Sequence, residues 1–508
     1  MTISRKTQAL SAKPLSIAEG HKAVLALLRA GALEQAEKEF YRLHLDEIDD
    51  NEDVMGLSGR LLKSKALEQV GDDRRFLALA AADKYAFAYS QTGGTYSGIN
   101  TASLSLVGGA RRAAEALARE ILTLLEHRQP EPGEDAYYHM ATRAEAQLIL
   151  GDTKTAQRSL RDAQHLDPHN YEAHASTLKQ FDMVLKDLGE STRWLNPLRP
   201  PKALHFAGHI FGLVSGPHFL NPAHEDTLRK MLTAIIADAK VGFAYGALAA
   251  GSDILIAELL IEAGVELHVV QPCFDAPFVK NSLVPFGEQW IPRFEACIEA
   301  AASVRYVLQN NENVDDLTIA FSSEIAMGLA VLKAQALATV AKQIVVWDRH
   351  ISATGVGTAR DAILWNKCKR PQVVVPYPVP RNVIPFKPKM VLERENERGL
   401  KAMVFADVRG FGALTDDQVP AFITEVLAPL AACVEEEGPH VKHVNTWGDG
   451  LFLVLDNVER AANVALKLQA CFQGLDMAGV GLPETLALRI GAHYGPVHEM
   501  EDPFMGRP

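Results

Sequence analysis

Two aspartates sit where a carboxylate could hold a cation. Asp407 closes the apolar run KAMVFADV (401–408) and is followed by RGFG, a loop with two glycines. Asp449 lies in Trp447-Gly448-Asp449-Gly450, between the expected strands VKHVNT and LFLVLD. Carboxylates are the hard oxygen ligands that magnesium-type ions require. A strand end and a neighbouring hairpin tip would bring both to one sheet edge. The plainer reading is that an Asp between glycines serves the turn and an Asp at a strand end serves as a cap. A second cluster is Gly246, Gly251, Ser252 and Asp253, in GALAAGSDILIAELLIEAG. It joins a small-residue loop to a helix start, where backbone amides can hold a phosphate. Small residues are also common wherever a strand turns tightly into a helix.

The elements that position these groups are legible from periodicity. Around the aspartates the order is strand 401–408, loop, helix, hairpin 441–456, helix 458–473 and strand 486–500. The first helix is expected from Thr415, as N-cap, to about Gly438, with Asp416 and Asp417 in the first turn. Its apolar face is Val419, Phe422, Ile423, Val426, Leu427 and Leu430, and Pro429 should kink it. This α+β order is close to the ferredoxin-like class. Upstream, residues 201–369 alternate strands (ALHFAGHI, VGFAYGAL, ELHVVQP, VRYVL, QIVVWD) with helical runs, which predicts a parallel α/β Rossmann-like domain. Six prolines in 370–390 place a linker at 370–397. Residues 16–190 read as helices, with breaks at Gly31 and Gly151 and close packing at Ala144, Ala146 and Ala156. The whole is a multidomain α/β chain: helical repeats, a central parallel domain, and an incomplete α+β domain at 398–508.

Composition sets outer bounds. A chain of 508 residues should hold two to four domains. A formal net charge of −12 argues against general nucleic-acid binding. Five cysteines (Cys273, Cys297, Cys368, Cys433, Cys471) form no CxxC pair, so no zinc or redox motif is expected and a reducing compartment is. The N-terminus lacks the apolar core of a signal peptide. No uninterrupted apolar run of about 18 residues is present, so no membrane span is expected. These features predict a cytoplasmic protein.

Three patterns together resemble the class III adenylate/guanylate cyclase catalytic domain: FADVRGF (405–411), WGDG (447–450) and LRIGAHYGPV (488–497). The resemblance covers about a fifth of the chain. It implies Asp407, Asp449 and the backbone carbonyl of Val408 as ligands of two Mg2+ or Mn2+ ions. It implies that the amides of Arg409, Gly410, Phe411 and Gly412 cradle the β- and γ-phosphates. It places Asn445 at the base-reading position, where the family usually has Lys for adenine or Glu for guanine. An amide fits either base edge, so ATP and GTP stay open. Trp447 replaces an aliphatic residue and is expected to pack against the next strand. The resemblance stops short at HEMEDPFMGRP: the family's second base-reading carboxylate and its transition-state Asn and Arg are missing, and Arg507 does not replace that Arg. The helical region resembles tetratricopeptide units, and YAFAYSQTGGTYSGINTASLSLVGG resembles a block of the TRAFs-binding region. The central domain is similar to nucleotide-sensing Rossmann-like domains of bacterial signalling.

The expected function is conversion of a nucleoside triphosphate to its 3′,5′-cyclic monophosphate and pyrophosphate. The partners would be a second copy of the chain and proteins bound by the repeats. The alternative is a non-catalytic nucleotide-sensing scaffold. A third reading, a nucleotide-processing central domain using Asp253 and Glu258, ranks last because carboxylates on helices are normally just solvated.

Overall fold

The computed structural model describes residues 16–29, 31–211, 222–308, 315–349, 357–376 and 398–498. Most of the proline-rich linker (377–397) and residues 499–508, with Arg507, lie outside them. The chain divides into two compact units: residues 1–201 with 332–340, and 202–331 with 341–508.

The first unit is helical. Its helices are α1 (Ile17–Arg29), α2 (Leu33–Arg42), α3 (Glu52–Glu68), α4 (Gly71–Thr92), α5 (Thr95–Val107), α6 (Arg111–His127), α7 (Glu134–Ile149), α8 (Thr153–Leu166) and α9 (Tyr171–Leu188). The α1–α2 and α7–α8 breaks fall at Gly31 (φ +77) and Gly151 (φ +86), left-handed positions that glycine occupies without penalty. Ala144, Ala146 and Ala156 are fully buried, as close helix pairing requires. A Cβ on Gly59 would lie 2.5 Å from the Tyr85 ring, so α3 and α4 meet through a missing side chain. The helical region runs past 190: a 3-10 turn at Arg193–Leu198 buries Leu195.

The second unit opens with a six-stranded parallel sheet: β1 (Lys202–Gly208), α10 (Pro222–Ala239), β2 (Val241–Gly246), α11 (Ser252–Glu262), β3 (Glu266–Gln271), α12 (Asp275–Ser282), α13 (Trp290–Ala300), β4 (Ser303–Tyr306), α14 (Asp316–Ala336), β5 (Ala341–Val346), α15 (Thr358–Lys367) and β6 (Gln372–Val375). The strand order is β4-β3-β2-β1-β5-β6. The order reverses beside β1, which makes the carboxyl ends of β1 and β5 the switch point of the sheet. The expected linker at 370–397 begins later than its prolines suggest. Residues 372–375 form β6, which pairs in parallel with β5; four residues beside prolines carry too little pattern to show a strand. Among the described residues α14 alone is long and apolar enough to cross a membrane by length and composition, with hydropathy 1.5, and 44% of that window is buried.

The remaining elements are β7 (Arg398–Arg409), α16 (Val419–Phe422), α17 (Ala428–Glu435), β8 (Val441–Trp447), β9 (Gly450–Leu455), α18 (Val458–Gln473) and β10 (Ala487–His498). The sheet is antiparallel, in the order β10-β7-β9-β8. Ala402, Val404, Ala406 and Val408 point to one face and form a core with Phe422, Val426, Leu430, Val464 and Leu468. The alternate residues of β7 lie on the opposite face, where Phe405 is 45% exposed. The first helix differs from expectation. It starts at Val419, with Pro420 in its first turn, and Thr415 makes no side-chain cap; instead the Gln418 side chain accepts the Thr415 N–H at 3.1 Å. A π-turn at Ile423–Leu427 separates it from α17. Pro429 lacks the N–H that a regular turn would need there, so the backbone widens before it.

Candidate functional site

Asp407 and Asp449 arrive at the same end of the antiparallel sheet. Asp407 is near the end of β7, directly opposite Arg489 of β10. The facing pair forms a two-pronged ion pair: Arg489 Nε donates to Asp407 Oδ1 at 3.0 Å and Nη2 donates to Oδ2. The Asp407 side chain is 43% exposed and that of Arg489 64%, so the pair faces solvent. Asp407, with a contribution from Asp449, holds the Arg489 guanidinium above its ordinary range. One guanidinium therefore feels both carboxylates.

The loop after Asp407 lies against the hairpin tip. Gly448 has φ +63, and a Cβ there would meet the Phe411 ring at 3.8 Å. Gly410 has φ +95, a backbone position that only glycine takes readily. Gly412 has open space around it. Residues 411–413 make a single 3-10 turn, with Ala413 N–H donating to Gly410 O. Among the described residues, no carbonyl outside the regular elements accepts from Gly410, Phe411 or Gly412 N–H. Exposed Arg409 stands beside them. The Val408 side chain is buried, so only its main chain could serve the site.

Asn445 is exposed on β8, opposite Phe452. Phe452 packs against Phe405 with ring centroids 4.6 Å apart and planes tilted by 32°. Trp447 packs over the facing Gly450, where a Cβ would lie 2.5 Å from the indole nitrogen, and stays 54% exposed. The indole thus packs across the hairpin, as the sequence predicts. Asp407, Arg489, Asn445, Trp447 and Phe405 share the sheet face opposite the helical core, by strand alternation. Sequence reading missed Arg489; the available signal was its position in a strand expected to pair with the strand of Asp407.

Divalent ions would find two carboxylates here. Among the described residues no three His, Cys, Asp or Glu side chains converge. A two-carboxylate edge suits Mg2+, which keeps waters and takes substrate phosphates as ligands instead of a full protein cage.

The second cluster is also brought together, and packing accounts for much of it. Gly246 ends β2 against the Phe206 ring, and Gly251, with φ +102, abuts the Phe211 backbone. Ser252 N–H already donates to His209 O at 3.2 Å. Asp253 is not the solvated helix carboxylate expected. It is buried, and burial drives its pKa well up against the opposing pull of the Ala249 and Gly208 backbone. The Ser252 hydroxyl and Asp253 Oδ1 have no partner. Glu258 lies away from the loop's chemistry in an ion-pair cluster with Arg229 (2.7 Å) and Arg293 (2.6 Å).

Comparison with known proteins bears on the helical region. Residues 6–105 match the family described as Tetratricopeptide Repeats-Sensor. No curated protein matches the chain. A mutant O-GlcNAc transferase of Thermobaculum terrenum is similar at 14% identity and TM-score 0.16, over 66% of this chain and 55% of that one. The chain thus spans about half the length of that transferase. Aspartokinase III of E. coli, in complex with lysine and aspartate, is similar at 13% identity and TM-score 0.12, over 79% of this chain and 77% of that one. Scores this low carry no structural argument. What the family match does carry is the repeat character of the N-terminal helices: they form a tetratricopeptide-type region, a module suited to protein contact.

Proposed function

We propose that the chain is a signalling protein whose C-terminal domain is a class III nucleotidyl cyclase, acting on ATP or GTP. The observation that carries the reading is the meeting of Asp407, Asp449 and the glycine loop 409–412 at one sheet edge. The strand order β10-β7-β9-β8, first-to-fourth strand 4-1-3-2, supports a ferredoxin-like domain.

In this reading Asp407, Asp449 and the Val408 carbonyl hold two ions, Mg2+ or Mn2+. Bound there, the ions would stabilise the attacking 3′-oxygen and the leaving pyrophosphate. The amides of Arg409, Gly410, Phe411 and Gly412 take the β- and γ-phosphates. Were ions held there, Arg489, now paired with Asp407, would be released to offer its positive charge to the phosphates. Asn445 reads the base from the same sheet face. Phe405 and Trp447 leave that face apolar and open, which suits closure by a second copy of the chain. The tetratricopeptide-type helices supply protein partners.

A non-catalytic scaffold is the second reading, favoured by one observation: Arg489 already satisfies both oxygens of Asp407. Manganese binding tests the carboxylate pair on which the first reading rests. Titration followed by Mn2+ electron paramagnetic resonance should show bound ion that Asp407→Asn removes; no bound ion, with or without triphosphate, would leave the scaffold.

A further inference from the structure

An open cavity of about 440 Å³ lies in the antiparallel domain, at the C-terminal end of α18. Phe472, Met477, Leu486 and Leu488 line it from the domain core. Asp476 and Glu484 line it as exposed groups. Small-molecule sites run to about 300–1,000 Å³ and join an apolar wall to a few polar groups. This cavity has both properties.

Three features make it electronegative. The carbonyl end of a helix carries roughly half a negative elementary charge. Helix α18 ends at Gln473 against the cavity and has no basic residue in its last turn. Asp476 and Glu484 add two carboxylates, and among the described residues neither is ion-paired. Asp476 Oδ1 accepts Gly479 N–H at 2.9 Å, a neutral partner. No Lys, Arg or His lines the cavity. The two cations nearest in sequence are engaged elsewhere: Lys467 donates to Glu437 at 2.6 Å, and Arg489 to Asp407 at 3.0 Å.

The cavity also backs on the glycine loop. A Cβ on Gly410 would lie 3.1 Å from Leu486 Cδ2. Ala487 and Leu488 face Arg409 and Val408 across β10 and β7. A molecule in the cavity therefore touches residues that touch the loop 409–412.

We propose that this cavity binds a small organic cation, an ammonium group on an apolar body, and that its occupancy is felt at the glycine loop. The ammonium meets the two carboxylates and the carbonyl end of α18, and the apolar body covers Phe472, Met477 and Leu486. Binding is independent of the proposed cyclase chemistry; a consequence for turnover rests on that reading.

The test uses the full chain and three probes of similar shape, followed by NMR titration: 2-phenylethylammonium, neutral 2-phenylethanol and anionic 3-phenylpropanoate. The ammonium should bind at least tenfold more tightly than the alcohol, and the carboxylate should not bind. Asp476→Asn combined with Glu484→Gln should weaken the ammonium about tenfold or more. Glu459→Gln, at an exposed carboxylate in the first turn of α18, should not. Gln473→Lys supplies an internal ammonium at the helix end. It should raise the melting temperature of the domain and weaken the probe by a similar factor, a combination that a misfolded variant cannot give. The Gly410 amide resonance should shift in step with binding. Equal affinity for the three probes, no binding of the ammonium up to tens of millimolar, unchanged affinity in the double variant, or a Gly410 resonance that stays still as the probe binds would overturn the proposal.

Discussion

Gly94→Ala tests why the sequence places two glycines before α5. Gly94 is the N-cap of that helix and offers no capping side chain. The task passes to another helix: Glu52 Oε1, from α3, accepts Ser97 N–H at 2.8 Å. A Cβ on Gly94 would overlap the Glu52 carboxylate. Glu52 is the far end of a flexible chain and can swing away, so the overlap costs the cap and not a full overpacking penalty. Losing a helix cap costs about 1–2 kcal/mol. At 1.4 kcal/mol per tenfold, the Ser97 amide should exchange roughly 5–30-fold faster in the full chain. Glu52→Ala should give the same loss, and adding it to Gly94→Ala should cost nothing more. Unchanged Ser97 exchange in Gly94→Ala, or additive losses in the double variant, would refute the shared cap.

Three further outcomes are expected. His205 is fully buried, bonded through Nδ1 to Gln343 and stacked on Trp365, and burial lowers its pKa to about 3. The unfolded chain therefore binds a proton that the folded one refuses, so stability is lost as pH falls from 6.5 toward 3. Compared with His205→Gln, the wild type should lose roughly 2–3 kcal/mol between pH 7 and 4.5 in denaturant melts; parallel pH profiles would contradict a neutral buried imidazole. In the proposed active site, Asn445→Lys and Asn445→Glu should shift the ATP-to-GTP rate ratio in opposite directions, and equal ratios would remove Asn445 from base reading. Trp447→Ala and Phe405→Ala should each weaken self-association in sedimentation experiments by tenfold or more; unchanged association would exclude this sheet face as the contact between copies.

Long periodic segments were legible in the sequence, and local exceptions were not. The strands from 203 to 346 and the helix breaks at Gly31 and Gly151 followed from period and from glycine's conformational range. Strand β6 was hidden because four residues beside prolines show no period. Thr415 has the residue type of a cap, but Pro420 fixes the first turn farther on and Gln418 takes over the local bonding. The positions of Asp407 and Asp449 were readable because strand ends and tight turns leave strong local signatures. Arg489 was not, because its role comes from cross-strand register, which no single segment encodes. The burial of Asp253 was not legible for a similar reason: the start of its helix, Ser252 to Ala257, is buried on every side, which depends on neighbours far along the chain.

The most direct test of the proposed chemistry is to incubate the purified chain with manganese and each of the four ribonucleoside triphosphates, and to assay 3′,5′-cyclic product. The account predicts product from at least one of ATP and GTP, lost in Asp407→Ala with the fold intact by circular dichroism. Product formed at the same rate by Asp407→Ala, or no product from any triphosphate, would contradict it.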